Sequence, residues 1–277
     1  MRLRSHGLSH VGMIRLVNQD AFCANDKMGF YIVADGVGGR AAGEVASSET
    51  VEQALLFLRN EEAALALCRN EPSVDNFTEA RRLLENAIQH ACYMVHGMGD
   101  DIPEHHGMST TVSAMLMLNE EVALVAQVGD SRLYRYRGGN TEQLTEDHTL
   151  INYHLKRGLI TPEEAATSPN RNVITRAVGH RDYVQVDTFI CDLQEGDRYL
   201  LCTDGLHGYM DSGEVGFVIG EGPLPDVTKQ LIDVANDRGG KDNITALVVE
   251  CSKRPPPKPM RKKKKPPEWT KQIKRSR

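Results

Sequence analysis

Short apolar runs bounded by turn-forming residues recur along the first 250 positions of the chain. Six of them are rich in valine, isoleucine, leucine and tyrosine and have the length of β-strands. They span residues 30–34, 110–118, 122–128, 133–136, 199–202 and 245–249. Tight returns at 119–121, 129–131 and 138–140 are predicted to connect consecutive strands as hairpins. Consecutive hairpins indicate antiparallel sheet rather than a doubly wound parallel sheet.

Longer segments repeat their apolar residues with helical spacing. Residues 44–58, 78–96 and 224–235 each bring these residues to one face. Residues 147–176 contain two shorter helical patterns, and the second opens with Thr-Pro-Glu-Glu at 161–164, a favourable helix start. Because it has little strand pattern, we interpret 147–176 as an excursion from the body. Helices between groups of hairpin strands predict an α+β fold of antiparallel sheets flanked by helices.

The composition is typical of a globular protein inside the cell. Of the 277 residues, 40% are hydrophobic and 26% are charged, enough for one large domain or two small ones. No apolar run reaches the roughly 18 residues of a membrane helix, and the first 30 residues lack the apolar centre of a signal peptide. The six cysteines show no C-x-x-C spacing, which argues against a thiolate zinc site. We therefore expect a cytoplasmic protein.

Charge is divided unevenly along the chain. Residues 252–277 hold twelve of the 33 lysines and arginines but only one of the 38 acidic residues, Glu268, so the remainder is acidic. This end is also rich in proline and buries too little apolar area to fold alone. The sequence predicts a folded body at 1–252 and a basic, disordered tail at 253–277. The tail is either a solvated extension or a ligand for a polyanion: nucleic acid, an anionic membrane or an acidic protein.

Aspartates recur where apolar strands end. Asp35, Asp130 and Asp204 each follow such a run at a tight turn, and Asp242 precedes the last strand. A single aspartate beside a glycine is ordinary turn chemistry and carries little information. Four carboxylates at one edge of a sheet would repel one another unless a cation neutralised them. Oxygen ligands without a nearby cysteine or paired histidine favour magnesium or manganese over zinc.

Neighbouring residues add groups suited to a metal and to a phosphate. Gly36 opens a glycine-rich stretch in which the backbone can approach an ion and offer the Gly36 carbonyl as a ligand. Upstream, Asp20 supplies another carboxylate, and Arg15 supplies a guanidinium that can hold a phosphate through two parallel hydrogen bonds. For Arg15 alone, a surface arginine without a special role is the alternative.

Taken together, these motifs resemble those of the bacterial type 2C, metal-dependent protein serine/threonine phosphatases. The resemblance covers residues 6–250, and the motifs occur in the order seen in that family. They are R-x-x-N-Q-D at 15–20, V-A-D-G-V-G-G at 33–39, G-D-S-R at 129–132, Q-L-T-x-D-H at 143–148, T-R-A-V-G at 175–179, L-C-T-D-G-L at 201–206 and D-N-I-T at 242–245.

The resemblance implies a fold and a set of metal ligands. Family members fold as two antiparallel sheets packed as a sandwich and flanked by α-helices. By motif match, Asp35 bridges two divalent ions. Asp204 and Asp242 complete the protein ligands of the first ion, and the Gly36 carbonyl and Asp20 serve the second.

The resemblance also assigns residues beyond the two principal ions. Asp130, together with Asp204, matches the position of a looser third ion. Arg15 matches the phosphate-binding arginine, and residues 147–176 match a mobile flap beside the site. Arg15 and Asp35 are thus the expected catalytic residues.

The mechanism expected from this resemblance is hydrolysis by a water activated between two manganese or magnesium ions. The substrates are phosphoserine and phosphothreonine in proteins, and no phosphoenzyme is needed. The expected partners are phosphoprotein substrates and an opposing serine/threonine kinase, and the enzyme is expected to act as a monomer with residues 1–252 as its catalytic domain.

Two positions depart from the family pattern. Gln19 stands where many members carry glutamate, so the second ion is expected to bind more weakly. Val37 stands where animal members carry a histidine proposed to protonate the leaving group, which leaves the general acid unassigned. His105 and His106 are expected to lie in a solvated loop, and His148 to orient its own loop.

Two other functions remain open on the sequence. A phosphatase-like binding module without catalysis would lack a metal aspartate, whereas Asp20, Asp35, Asp130, Asp204 and Asp242 are all present. A two-metal hydrolase for nucleic acid or a small phosphoester is the other alternative. Turnover of a phosphopeptide compared with a nucleotide ester distinguishes it from a protein phosphatase.

Overall fold

The computed structural model describes residues 2–37, 42–170 and 172–252, and the predicted tail at 253–277 lies outside the described residues. The described residues form eleven strands. The strands are β1 (Arg2–His10), β2 (Asp20–Asn25), β3 (Phe30–Val37), β4 (Ser109–Thr110), β5 (Val112–Met117), β6 (Val122–Val128), β7 (Arg132–Arg137), β8 (Asn140–Gln143), β9 (Asp187–Asp192), β10 (Arg198–Cys202) and β11 (Ile244–Ser252).

The same residues form eight α-helices. The helices are α1 (Gly43–Asn60), α2 (Glu62–Asn70), α3 (Val74–Asp101), α4 (Leu150–Lys156), α5 (Pro162–Thr167), α6 (Asp204–His207), α7 (Ser212–Ile219) and α8 (Leu224–Asp237). None of them is both long and apolar enough to cross a bilayer.

The strands form two antiparallel sheets. The first has the order β1-β11-β10-β7-β8, and the second has the order β2-β3-β5-β6-β9 with β4 paired to β3. The first and last strands of the chain are neighbours, since β1 pairs with β11 along its whole length from Arg2 opposite Ser252 to His10 opposite Ile244. The predicted α+β fold of two antiparallel sheets with flanking helices is confirmed.

Burial on both faces explains why β3 is a continuous apolar run. Its residues 30–34 are fully buried. Tyr31 and Val33 belong to the core between the two sheets. Phe30 and Ile32 alternate with them and belong to the core that α1 and α3 build on the outer face of the second sheet. The side chains of a strand alternate between its two faces, so a strand covered on both must be apolar throughout.

Helices cover the outer face of the first sheet as well. Leu231 and Ile232 of α8 and Val215 of α7 share an apolar core with Leu200 and Val248 of the central strands. The sandwich therefore has four layers, with helices outside two sheets. Its ordered interior holds the strand ends that carry the predicted aspartates.

The predicted hairpin through 129–131 is wrong. The chain does turn there, but β6 pairs with β5 and β9 in the second sheet, whereas β7 pairs with β10 and β8 in the first. The side-chain amide of Gln127 donates to the carbonyls of Gly129 (3.1 Å) and Ser131 (2.7 Å), and these contacts stabilise the crossing between sheets. The hairpins predicted at 119–121 and 138–140 are confirmed.

Strand 110–118 is interrupted, and four strands, β1, β2, β8 and β9, lie outside the six predicted runs, although β8 completes the hairpin predicted at 138–140. The interruption falls at Thr111, whose backbone N–H donates to the Asp35 carbonyl (2.9 Å) while its Oγ1 accepts from the Asp35 N–H (3.0 Å). The unpredicted β1, β2 and β9 are mixed in polarity and mostly half-buried. Their hydrogen-bonded neighbours make them strands, which no local pattern reveals.

The excursion contains the two predicted helices, α4 and α5. The second has the predicted capping box, in which Thr161 Oγ1 accepts from the Glu164 N–H (3.2 Å) and the Glu164 carboxylate accepts from the Thr161 N–H (2.8 Å). The long helical segments are confirmed as α1, α3 and α8.

Candidate metal centre

Four of the predicted aspartates meet where strands of both sheets end. Asp20 at the start of β2 lies directly opposite Asp35 near the end of β3. Asp204 follows β10 at the first turn of α6, and its charge contributes to raising the pKa of Asp35. Asp242 lies two residues before β11, and its charge acts on Asp20, Asp35 and Asp204. The structure therefore brings together carboxylates that are up to 222 positions apart in the chain, from Asp20 to Asp242.

Asp20 has one carboxylate oxygen satisfied and one without a partner. Oδ2 accepts hydrogen bonds from Thr203 Oγ1 (2.8 Å) and Thr245 Oγ1 (2.7 Å). Oδ1 is buried and has no hydrogen-bond partner among the described residues. A buried carboxylate oxygen without a donor is costly unless a cation contacts it. This orphaned atom is the observation that fits a metal ion.

The electrostatics of the carboxylate cluster also favour a bound cation. Burial, reinforced by the charges of Asp20 and Asp204, raises the pKa of Asp35 well above its ordinary value. Burial also raises the pKa of Asp20 to about 7, against hydrogen bonds from the two threonines that lower it. Without a cation the cluster therefore tends to hold protons near neutral pH. A divalent ion relieves both the burial cost and the mutual repulsion, and the all-oxygen donor set suits magnesium or manganese.

Gly36 lies where two backbone segments come too close for a side chain. Its N–H donates to the Gln19 carbonyl (3.0 Å). A Cβ on Gly36 would lie 2.2 Å from the carbonyl oxygen of Gly43 and 2.6 Å from that of Gln19. Glycine is thus required for close packing at this point, and the role of its carbonyl as a ligand stays a prediction. Gly38 and Gly39 of the same motif lie outside the described residues.

Asp130 lies at the crossing between the two sheets. It is 8% exposed, and burial followed by the charge of Asp204 raises its pKa to about 7. The imidazole of His207 donates from Nε2 to the Asp130 carbonyl (2.9 Å), and burial lowers the pKa of His207 to about 4, so the ring is neutral. Asp130 therefore borders the main cluster with its backbone fixed, as expected for an accessory ligand.

Arg15 lies against the carboxylates. Its Nη2 donates to Asp242 Oδ2 (2.8 Å), and this contact is the main cause of its raised pKa. The Arg15 side chain is 47% exposed, so its guanidinium retains donors that face solvent. The structure thus places the predicted phosphate-binding arginine beside the predicted metal ligands.

Asn243 holds the segment that carries Arg15, a role that the sequence did not reveal. Its amide group donates to the carbonyls of Val11 (3.0 Å) and Val17 (3.0 Å), and its Oδ1 accepts from the Gln19 N–H (2.8 Å). A buried asparagine that bonds three backbone groups fixes the path of a loop. Its place next to Asp242 in D-N-I-T was the available hint. Thr203 and Thr245, which bind Asp20, were also missed.

No group of three or more His, Cys, Asp or Glu side chains is already arranged to hold a metal ion in the parts of the chain that the structure describes. Some of the carboxylates have other partners: Asp242 contacts Arg15, and one oxygen of Asp20 contacts two threonines. Cation binding would replace some of these contacts. The donor set fits the expected ions in its chemistry.

The predicted excursion borders a cleft beside the carboxylates. The cleft has a volume of about 760 Å³, and its lining includes Asp130, Asp204 and Asp242 as well as Asn152 and Lys156 of α4. The excursion therefore shares a cleft with three of the predicted carboxylates.

Ion pairs and hydrogen bonds hold the start of the excursion. Arg132 on β7 forms a bidentate ion pair with Asp147 (2.9 and 2.6 Å). His148 accepts the Gly129 N–H at Nδ1 (3.2 Å) and contacts Asp187 from Nε2 (3.0 Å). The interpretation of His148 as a residue that orients its loop agrees with these contacts. His105 ends a short 3-10 helix, Pro103–His105, and His106 follows it as an exposed residue.

A sandwich of two sheets that collects aspartates at its strand ends, beside an arginine and an open cleft, defines a class of metal-dependent phosphatases. The family model for protein phosphatase 2C matches residues 7–248. The chain belongs to the protein phosphatase 2C family. The predictions of a bacterial type 2C phosphatase and of a metal-dependent protein serine/threonine phosphatase are confirmed.

Relatives and solved structures agree with this assignment. Protein phosphatase PhpP of Streptococcus pneumoniae is 34% identical over 249 residues, which cover 88% of this chain and 96% of the relative. The serine/threonine phosphatase PstP/Ppp of Mycobacterium tuberculosis has a TM-score of 0.78 at 31% identity, covering 91% of this chain and 100% of that one. A PstP catalytic domain in complex with two manganese ions has a TM-score of 0.75 at 30% identity, covering 91% and 99%. The family uses divalent metal ions.

Proposed function

We propose that this enzyme hydrolyses phosphoserine and phosphothreonine in proteins at the carboxylate cluster, with two divalent ions held there. The residues that would hold the ions are Asp20, Asp35, Asp204 and Asp242, together with the Gly36 carbonyl. The observation that carries the proposal is the buried Asp20 Oδ1. This atom has no hydrogen-bond partner among the described residues, and it belongs to a cluster of carboxylates.

The bound ions supply an activated water and neutralise the phosphoryl oxygens. The chain supplies the rest. Asp35 would provide negative charge close to the charges of Asp20, Asp204 and Asp242, which favours cation binding at this point. Arg15 holds the phosphate with the guanidinium donors that Asp242 does not use. None of these residues is assigned as a nucleophile, so the proposal needs no covalent enzyme intermediate.

The identity and number of the ions are part of the proposal. Manganese and magnesium both prefer carboxylate, carbonyl and water oxygens. Two manganese ions in the PstP catalytic domain support two principal sites here. We assign a third, looser site to Asp130 with Asp204, supported by the charge of Asp204 acting on Asp130.

Hydrolysis of a phosphothreonine peptide tests the proposal. Activity is expected with manganese or magnesium and is expected to vanish with EDTA, then to return when metal is added in excess. A nucleotide monoester is the comparison substrate, and slower hydrolysis of it supports a protein phosphatase. Full peptide hydrolysis in metal-free buffer would falsify the metal-dependent mechanism.

The proposal also covers the partners, oligomeric state and location of the enzyme. We propose an opposing serine/threonine kinase, since a phosphatase for protein phosphoserine and phosphothreonine needs a source of those groups. The enzyme is proposed to be a monomer, and the proposed catalytic domain at 1–252 agrees with a family match that ends at residue 248. The proposed location is the cytoplasm, supported by six cysteines that are all free. The tail at 253–277 is proposed to bind a polyanion.

A further inference from the structure

Four apolar side chains flank Arg15, and all four face solvent. The exposed fractions are 64% for Met13, 67% for Ile14, 98% for Leu16 and 54% for Val17. They lie in the segment between β1 and β2, within five consecutive positions. Together these four side chains are called the Arg15 rim.

Clustering distinguishes the Arg15 rim from the other exposed apolar residues. In the described parts of the chain, the other large exposed apolar residues are isolated in sequence, as Phe217 on α7 is, or form one adjacent pair, Tyr93 and Met94 on α3. Single exposed apolar residues are ordinary on protein surfaces. Contiguous exposed apolar patches mark interaction sites.

The backbone that carries the rim is fixed. The Met13 N–H donates to the Gly240 carbonyl (2.7 Å), and the Asn243 amide donates to the Val17 carbonyl (3.0 Å). Because both ends are held by the segment leading into β11, the apolar side chains stay on the surface. A preformed surface loses little conformational entropy when a ligand binds.

The rim is continuous with the carboxylate cluster. Arg15, at its centre, contacts Asp242 at 2.8 Å. The rim therefore borders the position proposed for the substrate phosphate. Residues 11–18 contain no carboxylate, so the rim does not repel an incoming phosphate.

We propose that the Arg15 rim is a subsite for apolar side chains next to the phosphorylated residue of the protein substrate. The enzyme then prefers phosphoserine and phosphothreonine in an apolar sequence context. Burial of Ile14 and Leu16 against the substrate supplies the preference through the hydrophobic effect. This inference rests on the proposed function, because it assigns substrate selectivity to the same catalytic centre.

Two phosphothreonine peptides test the subsite. They are identical except that leucine or serine flanks the phosphothreonine, and p-nitrophenyl phosphate serves as a substrate too small to span the rim. With manganese, the wild-type enzyme is expected to have the higher kcat/KM for the leucine peptide. The double variant Ile14→Ser/Leu16→Ser is expected to lower the leucine-to-serine ratio of kcat/KM by roughly tenfold, through KM rather than kcat, as expected for one partly buried leucine.

Phe217→Ser is the matched control. Phe217 is 84% exposed and lies on α7, outside the rim. The substitution therefore removes a comparably exposed apolar side chain without changing the rim. The leucine-to-serine ratio is expected to stay at the wild-type value. Thermal unfolding of all variants checks folding, since exposed substitutions usually change stability little.

Other results overturn the subsite. Equal kcat/KM for the two peptides in the wild-type enzyme overturns the subsite alone. So does an equal loss of kcat on both peptides and p-nitrophenyl phosphate in the double variant, which indicates that the rim only supports Arg15. Rim-dependent binding to phosphatidylcholine vesicles, or rim-dependent dimerisation, without peptide discrimination assigns the rim to a membrane or a second copy. If the wild-type enzyme with manganese hydrolyses none of the substrates, the proposed function itself is wrong.

Discussion

At the residue scale, Asp35 and Asp130 occupy environments that separate their roles. Asp35 interacts with the charges of Asp20, Asp204, Asp130 and Asp242, whereas the main charge acting on Asp130 is that of Asp204. A carboxylate at the centre of such a group influences every cation bound there. One at its border influences only the nearest cation.

Alanine substitutions are expected to show this difference. Asp35→Ala, Asp204→Ala and Asp242→Ala should each reduce kcat for a phosphopeptide by roughly 100-fold or more, because metal-assisted stabilisation of the transition state is worth several kcal/mol. Asp130→Ala should impair turnover while two manganese ions still bind. Titration calorimetry measures the metal stoichiometry. Unchanged affinity for two ions in Asp35→Ala would contradict the bridging role.

Arg15 is expected to act on the substrate rather than on the metal. Arg15→Ala removes a charged, bidentate phosphate contact, so KM for a phosphopeptide should rise by about tenfold or more. Manganese affinity should not fall, because the substitution frees Asp242 from its ion pair. Arg15→Lys should restore KM only in part, because an ammonium cannot reproduce the planar fork. Steady-state kinetics identical to wild type in Arg15→Ala would refute the phosphate-binding role.

At the element scale, three strands of the first sheet are joined by one charged row. Glu250 on β11 accepts from Arg198 of β10 (2.6 Å) and also forms an ion pair with Arg4 of β1. Arg4 and Arg198 both lie directly opposite Glu250. Burial raises the pKa of Glu250, but the hydrogen bonds and charges of the two arginines outweigh it, so the pKa is lowered overall.

Glu250→Gln is therefore expected to reduce stability in a pH-dependent way. A carboxylate whose pKa is depressed in the folded state contributes stability above its ordinary pKa, and this contribution is lost as pH falls through the folded value. Urea unfolding at pH 7 should show a loss of about 1–2 kcal/mol, and the difference from wild type should shrink below about pH 4. Glu142→Gln, which breaks the exposed pair with Arg135, should cost less. A pH-independent difference for Glu250→Gln would contradict the ion-pair explanation.

At the scale of the whole molecule, the acidic body and the basic tail carry opposite charge. Residues 253–277 carry the dense positive charge that the sequence shows, and the family match ends before them. Attraction between exposed charges is screened beyond about 8 Å at physiological salt, so the tail should gain little from its own body. A polyanion has a higher charge density, and its binding weakens steeply with salt through counterion release.

Deletion of 253–277 is expected to leave hydrolysis of a small phosphopeptide intact and to abolish salt-sensitive retention on heparin or anionic liposomes. A full-length variant with the five basic residues at 261–265 changed to glutamine is the control for tail length, and it should also lose most retention. Both are compared with wild type across a salt series. Loss of peptide hydrolysis on deletion would show that the tail belongs to the catalytic domain.

Elements covered on a defined face could be predicted from the sequence. The continuous apolar run of β3 and the helical spacing of α3 show their burial in the local sequence. This is possible because the environment of each residue repeats with the period of the element. Half-buried strands such as β1 and β9 carry no such pattern. Their conformation comes from pairing with β11 and β6, partners that lie far away in sequence.

The sequence by itself determined the order of the motifs and the prediction of a metal site. Asp20, Asp35, Asp130, Asp204 and Asp242 lie at or near strand ends, and carboxylate oxygens predict a hard cation as the ligand. Only the tertiary structure decided which of these carboxylates meet and what holds them.

Packing of the two sheets brings these distant positions to one edge. It thereby aligns Thr203 and Thr245 with Asp20, leaves one oxygen of Asp20 without a partner, and lets Asn243 hold the segment carrying Arg15. It also sends the chain from β6 to β7 across the sandwich instead of through a hairpin. Contacts of this kind depend on distances through space, whereas local sequence patterns record only the burial of each element.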